Sequence, residues 1–122
     1  MKLFFKKLWV SFGCALRGWM WALRNERNMK IHTAVTLCVT AAGFILKITS
    51  LEWIAILICI GLVFSAELLN TAIEQLSDFV EPNMHPKVGI IKDIAAAGVF
   101  ICAIISVITG IIVFVPKIMS LL

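Results

Sequence analysis

Glu67, Asn70, Thr71, Glu74 and Asp78 recur at helical spacing inside an otherwise apolar stretch. At about 100° per residue, Glu74 falls about 20° behind Glu67 and Asp78 about 20° ahead of it. Asn70 and Thr71 lie within about 60° of the same line, so all five share one stripe of a single helix. The stripe descends about 16 Å, from membrane depth toward one surface. Leu68, Leu69, Ala72 and Ile73 crowd the other sides, so the helix stays in an apolar setting. Ionisable groups placed there are costly and point to function before structure.

Lys92 and Asp93 open the next apolar run, and Glu26 precedes the first. Three or four carboxylates beside one lysine cannot all stay ionised unless a cation neutralises some of them. Oxygen-only donors favour Mg²⁺ or Ca²⁺ over zinc, and Mg²⁺ usually arrives with phosphates. The set therefore suits phosphoryl transfer from Mg-ATP, where positioning and charge neutralisation dominate catalysis. In that chemistry Glu26 and Glu74 would hold metal, Lys92 would face the transferred group, and Glu67 would accept a hydroxyl proton. GxxxxGK[ST], GxGxxG, HRD and DFG are all missing, which excludes the soluble kinase types.

The elements that carry these residues follow from composition. The 122 residues are 61% hydrophobic and 15% charged, with a mean hydropathy of +1.04. A soluble domain is about 45–50% apolar and about 25% charged, and one this short cannot hide the surplus. A soluble monomer, a disordered chain and a secreted disulfide scaffold are excluded. The expectation is one all-α integral membrane domain, 1–122, with three transmembrane helices at 31–46, 51–73 and 94–115. The last has 22 uncharged residues, Ile94 to Val115, enough for a hydrocarbon core of about 30 Å. The alternating pattern of a β-barrel is absent.

Residues 1–29 lack the cleavage site of a secretory signal. Phe5, Leu8, Phe12, Ala15, Leu16, Trp19 and Leu23 recur at helical spacing with basic residues interleaved. This predicts an amphipathic helix lying in the membrane interface. Seven of the eleven basic residues (Lys2, Lys6, Lys7, Arg17, Arg24, Arg27, Lys30) precede the first span. The N-terminus and the polar stripe are therefore expected on the cytoplasmic side, with the C-terminus outside. The net charge of +4 reads as a topology signal rather than a nucleic-acid surface. Cys14, Cys38, Cys59 and Cys102 form no CxxC pair and read as apolar fillers.

The run Glu67-Leu-Leu-Asn70-Thr71-Ala-Ile-Glu74, then Asp78, then Lys92-Asp93-Ile-Ala-Ala-Ala, resembles the prokaryotic diacylglycerol kinase and undecaprenol kinase family. So does Asn25-Glu26-Arg27-Asn28 with Ile31-His32, and the resemblance runs from about Phe12 to about Val113. It implies a small homotrimer in the bacterial cytoplasmic membrane, with active sites shared between subunits and ATP entering from the cytosol. Transferred onto matching positions, it makes Glu67 the general base, with Glu26 and Glu74 the metal holders that carry ATP. Asn70 would orient the reacting groups and Lys92 would contact the phosphates, while Asp78 and Asp93 would steady the nucleotide. The Glu-Arg-Asn run, Ile31-His32 and His85-Pro86 look like the undecaprenol branch, with diacylglycerol the alternative lipid. Lipid-tail contacts are not legible, and His32 and His85 receive no role.

Two other classes compete. A small transporter or ion pathway would use membrane carboxylates as a relay, but it gives no reason for Lys92-Asp93 opposite the stripe. A structural subunit would use polar groups as interhelical glue at about 0.6 kcal/mol each. Several full carboxylates exceed that role.

Overall fold

The computed structural model describes residues 1–122 as four helices joined by short connections. They are α1 (Lys2–Asn25), α2 (Arg27–Ile45), α3 (Ser50–Val80) and α4 (Pro86–Met119). No strand is present, as the sequence leads one to expect. Long α3 and α4 pack along one another, while α2 and α1 make smaller contacts with α3.

Each boundary has a local cause. The α1–α2 break falls at Glu26 rather than at residue 29, without proline or glycine. Asn25 Nδ2 donates to the Trp21 carbonyl at 2.8 Å, and the Glu26 N–H donates to Ala22 O at 2.8 Å. A side chain that satisfies a terminal carbonyl competes with helix continuation, and Glu26 turns extended (φ −104°, ψ 123°). After α2, Lys47 takes a left-handed φ of 53°, and the Ile48 N–H reaches back to Gly43 O at 3.1 Å. A capping box then starts α3: Thr49 Oγ1 accepts from the Glu52 N–H, and Glu52 Oε2 accepts from the Thr49 N–H. Past Val80 the chain turns through Pro82, and Pro86 sits in the first turn of α4, where its missing N–H costs nothing.

Both long helices outrun the expected spans: α3 continues two turns beyond residue 73, and α4 begins two turns before residue 94. The extra turns carry Glu74 and Asp78 on α3, as their shared stripe requires, and Lys92 and Asp93 on α4. α3 and α4 are long and apolar enough to cross a membrane. The first expected span, 31–46, falls on α2 but overruns its end at Ile45 by one residue, and the 19 residues of the helix include Arg27 and Lys30 near their start.

Only 12 of the 122 residues are buried. One small core, Ala22, Met29 and Phe64, clamps the α1–α2 break onto α3, with Trp19 against the Phe64 ring at 4.8 Å. The other, Ile48, Ile56 and Val113, ties the far ends of α3 and α4 together. Lys117 and Glu52 pair there at 3.1 Å. Phe64 lies one turn before Glu67, so the first core fixes the helical break beside the polar stripe.

Candidate functional site

The stripe on α3 is the most deeply placed polar feature of the chain. Glu67 is 1% exposed, and Asn70 and Thr71 are also buried. Ordinarily such groups are paired, because an unsatisfied buried donor or acceptor costs about 1–3 kcal/mol, more if charged. Here Glu67 Oε2, Asn70 Oδ1 and Thr71 Oγ1 have no hydrogen-bond partner. Three unsatisfied atoms within two turns mark a place built to meet something else.

Glu67, Asn70 and Glu74 line one pocket of about 330 Å³ together with Asn28 and His32 of α2. Asn70 Nδ2 donates to Glu74 Oε1 at 3.4 Å. His32 Nε2 stands 3.7 Å from Glu67 Oε2, and the wall from α4 is apolar, with Val99 and Phe100. An apolar groove of about 370 Å³ between α2, α3 and α4 adjoins this pocket. The two share Ile31, His32 and Ala103, so a carboxylate pocket opens onto a greasy slot.

Asp78 and Lys92 form a separate group. Their side chains make an ion pair across α3 and α4 and line a cleft of about 480 Å³ at the connection, with Glu81, Asn83 and His85. His85 Nδ1 accepts from the Lys87 N–H at 3.1 Å, which caps α4. Asp93 is exposed on α4 and lines neither space. Glu26 is half-buried at the break between α1 and α2, also outside both.

Of the seven residues singled out from sequence, three therefore share one pocket and two share a neighbouring cleft, while Glu26 and Asp93 stand apart in the single chain. No three His, Cys, Asp or Glu side chains gather as a metal cluster. Mg²⁺ is usually held by one or two carboxylates together with phosphates and waters, and the half-buried Glu74 beside Asn70 supplies such an oxygen donor. His32 and Asn28 are the pocket residues that sequence reasoning passed over. Their four-residue spacing places them on one face of α2, a signal that was available.

The comparisons with known proteins bear on this arrangement. The family model for prokaryotic diacylglycerol kinase matches residues 13–114. The chain is 42% identical over 111 residues to an undecaprenol kinase of Bacillus subtilis, covering 91% of this chain and 90% of that protein. It is 35% identical to a diacylglycerol kinase of Synechocystis sp., over 94% of this chain and 66% of that one. A diacylglycerol kinase of Haemophilus influenzae is 31% identical, over 82% and 86% of the two chains. The matched span contains all of α3, α4 as far as Phe114, the helical break at Glu26 and every residue of the pocket, the groove and the cleft, and the chain belongs to the prokaryotic diacylglycerol kinase family.

Proposed function

We propose that this chain is a membrane lipid kinase that transfers the γ-phosphate of ATP to a lipid hydroxyl, with undecaprenol the favoured acceptor. The observation that carries this reading is Glu67: a buried carboxylate with an unpaired oxygen, where a polar pocket meets an apolar groove. A hydroxyl on a long apolar chain fits that junction, its tail in the groove and its oxygen at Glu67. The general base must lie within hydrogen-bond reach of the proton it takes, and Glu67 Oε2 stands 3.7 Å from His32, which lines both the pocket and the groove. Undecaprenol is preferred over diacylglycerol because the Bacillus relative bears that name and aligns over nine-tenths of both chains.

In this reading Glu74 and Glu26 hold Mg²⁺, which neutralises charge on the phosphates when bound. Asn70 holds the Glu74 carboxylate in place. Lys92, released from Asp78, contacts the phosphates, and Asp93 and Asp78 steady the nucleotide. Glu26 and Asp93 complete the site in a homotrimer whose copies share active sites. That assembly is supported by the apolar face of α4 on which Ile94, Ile101, Ile108 and Ile112 are exposed in the single chain. Lipid and neighbouring copies cover it.

The basic N-terminal third supports a chain in the bacterial cytoplasmic membrane with α1 on the cytoplasmic surface. α2, α3 and α4 then cross, and the C-terminus emerges outside. Nothing in the pocket favours a transport pathway.

A side-by-side assay with ATP and Mg²⁺ in mixed micelles tests the reading, using undecaprenol, diacylglycerol and a short-chain alcohol. Transfer to undecaprenol at the highest kcat/KM is expected. Preference for diacylglycerol overturns the lipid assignment, and no transfer to any of them overturns the kinase.

A further inference from the structure

His32 is the one titratable side chain of α2 that lines the pocket, and it lines the groove as well. Its Nε2 stands 3.7 Å from the otherwise unpartnered Glu67 Oε2. That is beyond a hydrogen bond but within the reach that a small closure or one water brings to bonding distance, as catalytic contacts commonly tighten when substrate binds. Glu67 is sealed, with a side chain 2% exposed, whereas the His32 side chain is 21% exposed. The Phe64 ring meets the imidazole edge-on, with ring centroids 6.5 Å apart. The charged groups facing His32 are Glu67 and, one pocket wall away, Glu74, both on α3. α4 presents no charged or titratable side chain to either space, its one polar group there being Ser106 in the groove, and α1 lines neither.

We infer that His32 is a positioning residue for Glu67 that also carries away the proton Glu67 collects. The inference rests on the reading of Glu67 as the base. During transfer the lipid oxygen bonds to the γ-phosphorus as the bond from that phosphorus to the β–γ bridging oxygen breaks. ADP keeps that electron pair, and the hydroxyl proton goes to Glu67. A protonated Glu67 is spent until it loses that proton, and with its side chain 2% exposed it has little contact with bulk solvent of its own. His32 takes that proton at Nε2, the ring nitrogen that faces Glu67. This leaves a carboxylate and an imidazolium, and the proton then leaves at the exposed edge of the ring. Each turnover thus resets the base through His32 rather than through bulk water at Glu67 itself, where water would compete with the lipid hydroxyl for the phosphoryl group.

The test uses the full chain in mixed micelles with ATP, Mg²⁺ and undecaprenol. His32→Ala is expected to lower kcat by about 10²-fold, the low end of general acid–base contributions. The KM for ATP should be unchanged, and added imidazole should restore rate in proportion to its neutral fraction. His32→Gln keeps a polar group of similar reach and guards against a folding defect. It should show the kcat loss together with an altered acid limb of the kcat–pH profile. Wild-type kcat in either variant overturns the inference, as does a loss that is equal at every pH and unmoved by imidazole in both. Glu67→Gln separates this failure from that of the parent reading. If Glu67→Gln is active, Glu67 is not the base; if it is inactive while the His32 variants are normal, only the role of His32 falls.

Discussion

Asn70 Nδ2 donates to Glu74 Oε1 at 3.4 Å across one turn of α3, and the amide oxygen of the same Asn70 is left buried and unpaired. One side chain thus steadies a carboxylate with its nitrogen and holds an open acceptor toward the pocket with its oxygen. Such a bond orients Glu74 before any cation arrives. Asn70→Ala is expected to raise the KM for Mg-ATP about tenfold, since a hydrogen bond to a charged partner is worth about 1.5 kcal/mol at its low end. Initial rates at varied Mg-ATP check this, and an unchanged KM means that Glu74 is held by something else.

Glu67→Gln conserves shape and removes the ability to take a proton. Transfer should fall by at least about 10²-fold, because that is what a positioned general base contributes. Nucleotide binding should persist, since Glu67 lies more than two turns of α3 from Asp78. Single-turnover assays alongside equilibrium binding of Mg-ATP measure both. A variant that transfers phosphate at near wild-type rate ends the assignment of Glu67.

Much of this was legible in the sequence, for physical reasons that differ by residue. The stripe from Glu67 to Asp78 could be read because a helix has a fixed angular period, and α3 carries it without a break. The apolar spans stop short of the helix ends, because the polar turns that extend α3 and α4 lie outside the hydrocarbon-length runs that mark a span. Those turns continue the helix down to Val80 and up from Pro86. The break at Glu26 was displaced by three residues, since its cause is a side-chain bond from Asn25 rather than a proline or glycine. His32 was passed over for another reason. Its four-residue spacing from Asn28 shows which face of α2 the two share, but its contact with Glu67, 35 residues away, is tertiary and that spacing does not encode it.

Lys92 and Asp78 pair across α3 and α4, but both side chains are substantially exposed, at 35% and 57%. An exposed pair contributes about 0–1 kcal/mol to stability. Asp78→Asn should therefore leave the thermal midpoint in detergent nearly unchanged, while altering Lys92's hold on phosphate. Lys92→Met should lower kcat/KM for ATP by about 10²-fold or more, as removal of a charge clamp on a transferring phosphoryl group does. If Lys92→Met instead unfolds the chain and spares the rate of what remains, the lysine is structural and its place in the nucleotide site is wrong.

Gly43 provides a test of the fold that is independent of the chemistry. It is buried near the end of α2, and a Cβ built there lies 2.7 Å from the Trp53 ring and 3.2 Å from Ile48 Cδ1. The Trp53 ring also packs on Phe44 at a centroid distance of 4.9 Å, so it has neighbours on more than one side. A methyl group must push the indole out, and overpacking of this kind costs about 1–3 kcal/mol. Gly43→Ala should thus lower the thermal midpoint in detergent, and Gly43→Ala with Trp53→Leu should recover part of the loss because the smaller side chain vacates the contested space. The site is four turns of α3 away from Trp53, at Glu67 and beyond, so kcat below the melting range should stay near wild type in both variants. A double variant no more stable than the single one means that the α2–α3 connection is not packed around this glycine and tryptophan.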